Sequence, residues 1–136
     1  MKRDKQVMKG WFYDPKPHKV PEDIAATIES YAQTLIEELK PKYVKNKKPK
    51  HNFNYIADFY FKWIGKRFYL CSKYNCPPPR AISPSFESKF ARLEYIGDGK
   101  FQLFFMRHTG QWIKLEEGIT LKKAFEVIRK SPYFTP

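Results

Sequence analysis

The stretch from Phe53 to Tyr74, FNYIADFYFKWIGKRFYLCSKY, constrains the fold of this chain more than any other. Its odd-numbered positions up to Trp63 are all apolar, and its polar residues occupy even-numbered positions. A period of two is typical of a β-strand that buries one face. Gly65-Lys66 can form a tight turn, because glycine adopts the positive φ of its first central position. The stretch therefore predicts a β-hairpin.

The predicted turn also decides which side chains share a face of this hairpin. One face is apolar and is expected to meet the core. Its cross-strand pairs are Trp63–Phe68, Phe61–Leu70 and Phe59–Ser72. The opposite face mixes tyrosines with cations, in the pairs Lys62–Tyr69, Tyr60–Cys71 and Asp58–Lys73.

The order of the remaining patterns predicts an α+β fold. Residues 1–20 are basic and broken by prolines, and we expect a partly mobile segment there, followed by a single domain over residues 21–136. The domain has an N-terminal helix, an antiparallel sheet of about five strands (two hairpins and a short strand) and a C-terminal helix, with both helices on one face. The predicted elements are a helix over Pro21–Lys40, hairpins over Phe53–Tyr74 and Phe86–Thr109, a strand over Trp112–Leu115 and a helix over Leu121–Lys130.

The second hairpin predicts a possible subunit contact. Asp98-Gly99 is a strong turn signal, and a turn centred there pairs Leu93 with Phe104 and Ala91 with Met106. The other face then carries an apolar patch, which we expect to meet a second subunit or a chain terminus. That patch consists of Phe101, Leu103 and Phe105. A homodimer is therefore one predicted form of the protein.

The charge of the chain favours polyanionic partners. Its 136 residues, about one domain, include 26 basic and 14 acidic residues, for a net charge of +12. Nucleic acid is the first partner class that such an excess suggests and an anionic membrane surface the second, whereas an unspecific solvated surface is the alternative. No apolar run approaches the roughly 20 residues of a membrane span, and no signal peptide is visible, so we expect a cytoplasmic protein that does not use a membrane.

Residues 40–50, KPKYVKNKKPK, concentrate this positive charge, with six lysines and no acid. They could be a solvated linker between the first helix and the first hairpin. They could instead be an arm that contacts phosphates and whose binding weakens with salt. The candidate contacts in the arm are Lys45, Lys47, Lys48 and Lys50.

No residue set for catalysis or metal binding emerges from the sequence. Cys71 and Cys76 are one close pair, and structural zinc sites use two such pairs, so we expect no metal. His108 beside Arg107, near Trp112, could form a small acid–base or anion site, although a hairpin-end histidine that simply meets solvent is the favoured explanation. Phosphate-binding glycine loops and nucleophile motifs are lacking. We therefore expect neither enzymatic activity nor a cofactor.

The mixed face of the first hairpin remains as the candidate site. Interleaved rings and cations on a sheet suit single-stranded nucleic acid, because bases stack on rings while cations contact phosphates. We therefore predict non-enzymatic binding of single-stranded nucleic acid, and the alternative is a protein-interaction or structural module, in one form a homodimer. The candidate residues on this face are Tyr60, Lys62, Arg67, Tyr69 and Lys73.

Short motifs near the end of the chain resemble a known family. They are Met106-Arg107 followed by Trp112, the segment Ser131-Pro132-Tyr133-Phe134 after the last helix, and the strand Ala91–Tyr95. Together with the order of elements, they resemble a small uncharacterised bacterial family, a domain of unknown function of the DUF3024 type, over roughly residues 24–134. The resemblance implies no activity, because that family has none to transfer.

Overall fold

Two helices and five strands follow each other in the predicted order. The computed structural model describes residues 19–44, 53–77 and 84–136, so residues 1–18 and the candidates Lys45, Lys47, Lys48 and Lys50 lie outside the described residues. The α+β class is confirmed. The elements are α1 (Glu22–Tyr43), β1 (Tyr55–Ile64), β2 (Arg67–Asn75), β3 (Ser85–Gly97), β4 (Lys100–Met106), β5 (Trp112–Ile119), α2 (Leu121–Lys130) and a 3-10 turn (Pro132–Phe134).

Helix α1 begins where the sequence predicts and ends one turn later. Pro21 precedes the first turn, which carries Glu22 and Asp23 at the positive end of the helix dipole. The helix continues through Pro41 to Tyr43. A proline in the last turn removes one backbone hydrogen bond but keeps a helical φ, so it does not end the helix at once.

The five strands form one antiparallel sheet in the order β1-β2-β3-β4-β5, which is a simple meander. Both helices pack on the same face of this sheet, which we call the helix face. The rings of Tyr31 in α1 and Phe125 in α2 lie 5.5 Å apart between centroids, and both belong to the core on the helix face. The opposite side of the sheet is called the outer face. The fully buried rings on the helix face are Phe59, Phe68 and Phe101, together with Phe125.

The register of the β1–β2 hairpin is the predicted one. All six pairs that the sequence predicts are present, from Asp58–Lys73 to Trp63–Phe68. Gly65 has a φ of 61°, as expected for the first central position of the turn. The apolar face of this hairpin is therefore the helix face, and the tyrosines and lysines lie on the outer face.

The register of the β3–β4 hairpin differs from the prediction by one residue. Tyr95 pairs with Phe101 and Gly97 with Lys100, which leaves Ile96 as an extra residue in β3. Such a bulge turns all of β4 over relative to a regular hairpin, because neighbouring side chains of a strand point to opposite faces. Leu93 consequently lies opposite Leu103 and not opposite Phe104.

This shift overturns the predicted apolar interface. Phe101 is 1% exposed and Leu103 is 0% exposed, both inside the core. Phe105 packs against the same core and stacks on Tyr133, with ring centroids 4.4 Å apart. The prediction of an outward patch formed by these three residues is therefore wrong, and a homodimer through them has no surface to use.

Candidate nucleic-acid interface on the outer face

A row of alternating cations and aromatic rings crosses the outer face from one edge of the sheet to the other. Each member is the cross-strand partner of the next, so the row takes one residue from every strand. At a strand spacing of roughly 4.8 Å, it extends over about 19 Å. In order from β1 to β5, the row is Lys62, Tyr69, Arg92, Phe104 and Lys114.

Arg92 occupies the centre of this row and is held between aromatic rings. Its guanidinium carbon lies 4.0 Å from the centroid of the Phe104 ring and 5.3 Å from that of Trp112. The Trp112 ring in turn lies 5.6 Å from that of Tyr69. Cation–π attraction favours this arrangement. The centre of the row is therefore an assembled cluster and not a set of independent surface side chains.

Tyr69 is more enclosed than a base-stacking residue would be. Its side chain is 6% exposed, since Trp112 covers it and the Lys89 ammonium lies 5.9 Å from its ring centroid. Tyr69 thus lies on the predicted face, but its ring packs inside the cluster and is not open for stacking on a base. Phe104 and Trp112, which are partly exposed, are the rings at the surface of this cluster.

Glu94 lies beneath the positive charges at one side of the row. Its carboxylate oxygen Oε2 is 3.0 Å from the Nε atoms of both Arg67 and Arg92, and the residue is only 4% exposed. Neither N–H is directed at that oxygen well enough for a hydrogen bond. Two guanidinium groups are therefore attracted to the single Glu94 carboxylate by charge and not by directed hydrogen bonds.

Glu87 performs the same role at the other side of the row. It accepts hydrogen bonds from Lys62 Nζ at 2.9 and 3.1 Å and from the Tyr60 hydroxyl, and Lys89 Nζ lies 2.8 Å away. Hydrogen bonds from Lys89, Tyr60 and Lys62 lower the pKa of Glu87 to about 2, against the opposing effect of burial. Burial raises the pKa of Tyr60, and the hydrogen bond to Glu87 raises it further. Both groups consequently keep their charge states at neutral pH.

Cys71 lies beside this cluster, opposite Tyr60 on β1, and is fully buried. Burial raises the pKa of its thiol to about 11. The thiolate is the reactive form of cysteine, so this side chain is not prepared to act as a nucleophile at neutral pH. It behaves as a small residue of the strand.

The structure places all five predicted residues on the outer face, but their availability differs. Lys62 and Arg67 are 39% and 41% exposed, although each faces a glutamate. Lys73 is exposed and forms no ion pair with a residue in the described ranges, because its neighbour Asp58 pairs with Lys40 at 3.3 Å. Sequence reasoning missed three of the five residues in the row, Arg92, Phe104 and Lys114, because the register of β4 was not foreseen. It also missed Lys89 and Trp112 as outer-face residues beside the row.

The second candidate cluster, Arg107, His108 and Trp112, is not assembled. Arg107 and His108 are exposed in the turn between β4 and β5, whose backbone is held by a 2.8 Å bond from Arg107 N to Gln111 O. Trp112 points away from them to Tyr69 and Arg92. Across residues 19–44, 53–77 and 84–136, no group of three or more His, Cys, Asp or Glu side chains could hold a metal ion.

The helices of the described ranges include none that is long and apolar enough to cross a membrane. Neither the curated proteins nor the solved structures include a match to the chain. The profile of one protein family, described as "Domain of unknown function (DUF3024)", matches residues 18–136, which is nearly the whole chain. The chain therefore belongs to the DUF3024 family, as its terminal motifs indicate.

Proposed function

We propose that this protein binds single-stranded nucleic acid along the row of alternating cations and rings on the outer face. One observation carries the proposal, namely that Lys62, Arg92 and Lys114 alternate in register with aromatic side chains across all five strands. Cations in such a row contact phosphates, and the partly exposed rings of Phe104 in the row and Trp112 beside it offer surfaces to bases. Both kinds of contact are needed for single-stranded binding that is more than charge attraction.

Three glutamates pair with cations of this surface. Glu117 pairs one to one with Lys114 and is 59% exposed, whereas the other two tune the surface without cancelling its charge. Glu87 faces Lys62 and Lys89, and Glu94 faces Arg67 and Arg92, so each carboxylate is shared by two cations. A carboxylate that holds two cations leaves one positive charge in excess and keeps both side chains in place. Cations held in position lose less conformational entropy when a phosphate binds.

Most of the excess charge of the chain lies outside the described residues. Residues 1–18, 45–52 and 78–83 contain ten of the 26 basic residues and two of the 14 acidic ones. Such segments add to attraction for any polyanion, and that attraction falls steeply with salt. The proposal therefore has to be tested at a salt concentration that suppresses this general effect.

The alternative is a protein-interaction or structural module. The apolar patch that suggested it does not lie on the surface. Phe101 and Leu103 are core residues, and Phe105 is occupied by Tyr133 and Phe134.

The decisive experiment compares two variants of equal net charge in fluorescence anisotropy with labelled single strands and duplexes. The row variant carries Lys62→Gln and Lys114→Gln, at positions 39% and 45% exposed. The control carries Lys122→Gln and Lys123→Gln, which are exposed on α2. At moderate salt we expect the row variant to bind single strands about tenfold more weakly, and the control to change by less than about twofold.

A third variant, Trp112→Leu, tests the rings. It removes a ring from the cluster and keeps the charge, so we expect about tenfold weaker binding that persists as salt increases, because stacking contributes roughly 1–3 kcal/mol per base. Equal loss in the row and control variants, with Trp112→Leu binding like the parent, would show that only net charge matters and would remove the proposal.

A further inference from the structure

The helix face carries a groove that the proposed nucleic-acid interface does not use. It lies between the C-terminal ends of α1 and α2 and has a volume of about 360 Å³. Small-molecule sites range from roughly 300 to 1,000 Å³, so this groove is at the small end of that range. We propose that it binds a small amphipathic anion, namely an apolar chain or ring that ends in a carboxylate or sulfonate.

The floor of the groove is apolar. Leu35 and Leu39 of α1, Ile128 of α2 and Phe134 of the 3-10 turn line it. Leu35, Ile128 and Phe134 are almost fully buried, so the floor is the upper surface of the core and not a flexible loop. An apolar body in the groove would cover this surface and gain the free energy of burial.

The rim of the groove is positively charged. Arg129 donates two hydrogen bonds to Glu38 across the groove, at 2.9 and 3.0 Å, and this pair ties α2 to α1. Lys42 and Lys130 also line the groove, and neither forms an ion pair with a described residue. Among the charged side chains that line the groove, two lysines remain above an apolar floor once the Arg129–Glu38 pair is counted as neutral.

This combination specifies the chemistry of the occupant. The Lys42 ammonium lies 5.4 Å from the centroid of the Tyr43 ring, but neither lysine has an anionic partner among the described residues. A neutral apolar molecule would supply no such partner, and a free phosphate would leave the floor uncovered. A molecule with one anionic head and an apolar body matches both halves of the groove, since it satisfies a lysine and buries its remaining surface. The groove and the outer face lie on opposite sides of the sheet, so the inference does not depend on nucleic-acid binding.

The test uses the full chain and 8-anilinonaphthalene-1-sulfonate, a probe with an aromatic body and a sulfonate, whose fluorescence increases in apolar surroundings. We expect saturable binding of one probe per chain to the folded parent, with folding verified by near-ultraviolet circular dichroism. Decanoate should displace the probe more effectively than 1-decanol, which has the same chain and no charge.

Two double variants of equal charge separate the groove from general attraction. Lys42→Gln with Lys130→Gln should weaken probe binding about tenfold or more and abolish the advantage of decanoate over decanol. Lys62→Gln with Lys114→Gln, on the outer face, should leave probe binding within about twofold of the parent. Equal probe affinity of the two double variants, or no saturable binding to the folded parent, would overturn the proposal.

Discussion

The two hairpins of the sheet contrast in how well their sequences specify their register. The β1–β2 hairpin has the predicted pairs, and its rings and cations fall on the predicted faces. The β3–β4 hairpin has an equally clear turn signal at Asp98-Gly99, yet the two faces of β4 are exchanged relative to the prediction. A turn signal therefore places a hairpin in the sequence but does not by itself decide its faces.

The difference lies in one residue beside the second turn. In β1 the polar residues occupy even positions only, so one register alone buries an apolar face. In β4 apolar residues occupy consecutive positions, and either face could be buried. The extra residue Ile96 decides between them, because it places Leu103 opposite Leu93 in the core.

The largest effect that tests this contrast comes from Leu103→Lys. Leu103 is 0% exposed, so a lysine there would place an unpaired charge in the core and cost at least about 4 kcal/mol, close to the whole stability of a small domain. Its control is Gln102→Lys, the neighbouring residue on the outer face beside Glu117, where we expect a change within about 0.5 kcal/mol. Urea denaturation followed by circular dichroism measures both, and a folded Leu103→Lys protein would mean that the faces of β4 are assigned backwards.

The fold could be predicted because its main signals are local. The alternation of β1, the proline and acids at the start of α1, and Thr120 as the cap of α2 each act within a few residues, and Thr120 indeed accepts a 3.2 Å hydrogen bond from Lys123 N. The bulge at Ile96 turns Leu103 into a core that residues of both helices also line, and those helices are distant in sequence. Local patterns contain no information about contacts within that core.

The candidate site could be predicted in part for the same reason. Tyr60, Lys62 and Tyr69 belong to the first hairpin, whose register is local, and they lie on the outer face as predicted. Phe104 reaches that face only because of the bulge, and Arg92 acquires its aromatic partners only when the β5 residue Trp112 folds over it. The buried state of Tyr69 follows from the same long-range contact.

Replacing a glycine in each of the two turns should lower the free energy of unfolding by a smaller amount. Gly97 has a φ of 94°, next to the bulge, and an alanine there would be strained by about 1–2 kcal/mol. Gly65 has a φ of 61° and no neighbouring atom within 4 Å of an added Cβ, so Gly65→Asn should cost less than about 1 kcal/mol, because asparagine tolerates that region. Thermal unfolding of the two variants measures the difference. Equal costs would show that the bulge does not depend on the backbone freedom of Gly97.

An effect of similar size to that at Gly97 concerns the acids that hold the outer face together, and it depends on pH. The pKa of Glu87 is lowered from 4.5 to about 2, so its contribution to stability is fully present above pH 4.5 and is lost as the pH falls toward 2. Glu87→Gln should therefore lower the free energy of unfolding by about 1–2 kcal/mol at pH 7, where Lys62, Lys89 and Tyr60 lose a charged partner. The difference from the parent should shrink below pH 4.5.

Glu117 supplies the matched control for this pH dependence. It pairs with Lys114 at the β5 end of the same row but is 59% exposed, so water and salt screen the pair. Urea denaturation at pH 7 and at pH 3 should give a pH-dependent loss for Glu87→Gln and no measurable loss for Glu117→Gln. A loss for Glu87→Gln that is the same at both pH values would mean that the glutamate contributes through packing alone. The cations of the first hairpin would then be held without its charge, and the row would be organised by the aromatic cluster around Arg92.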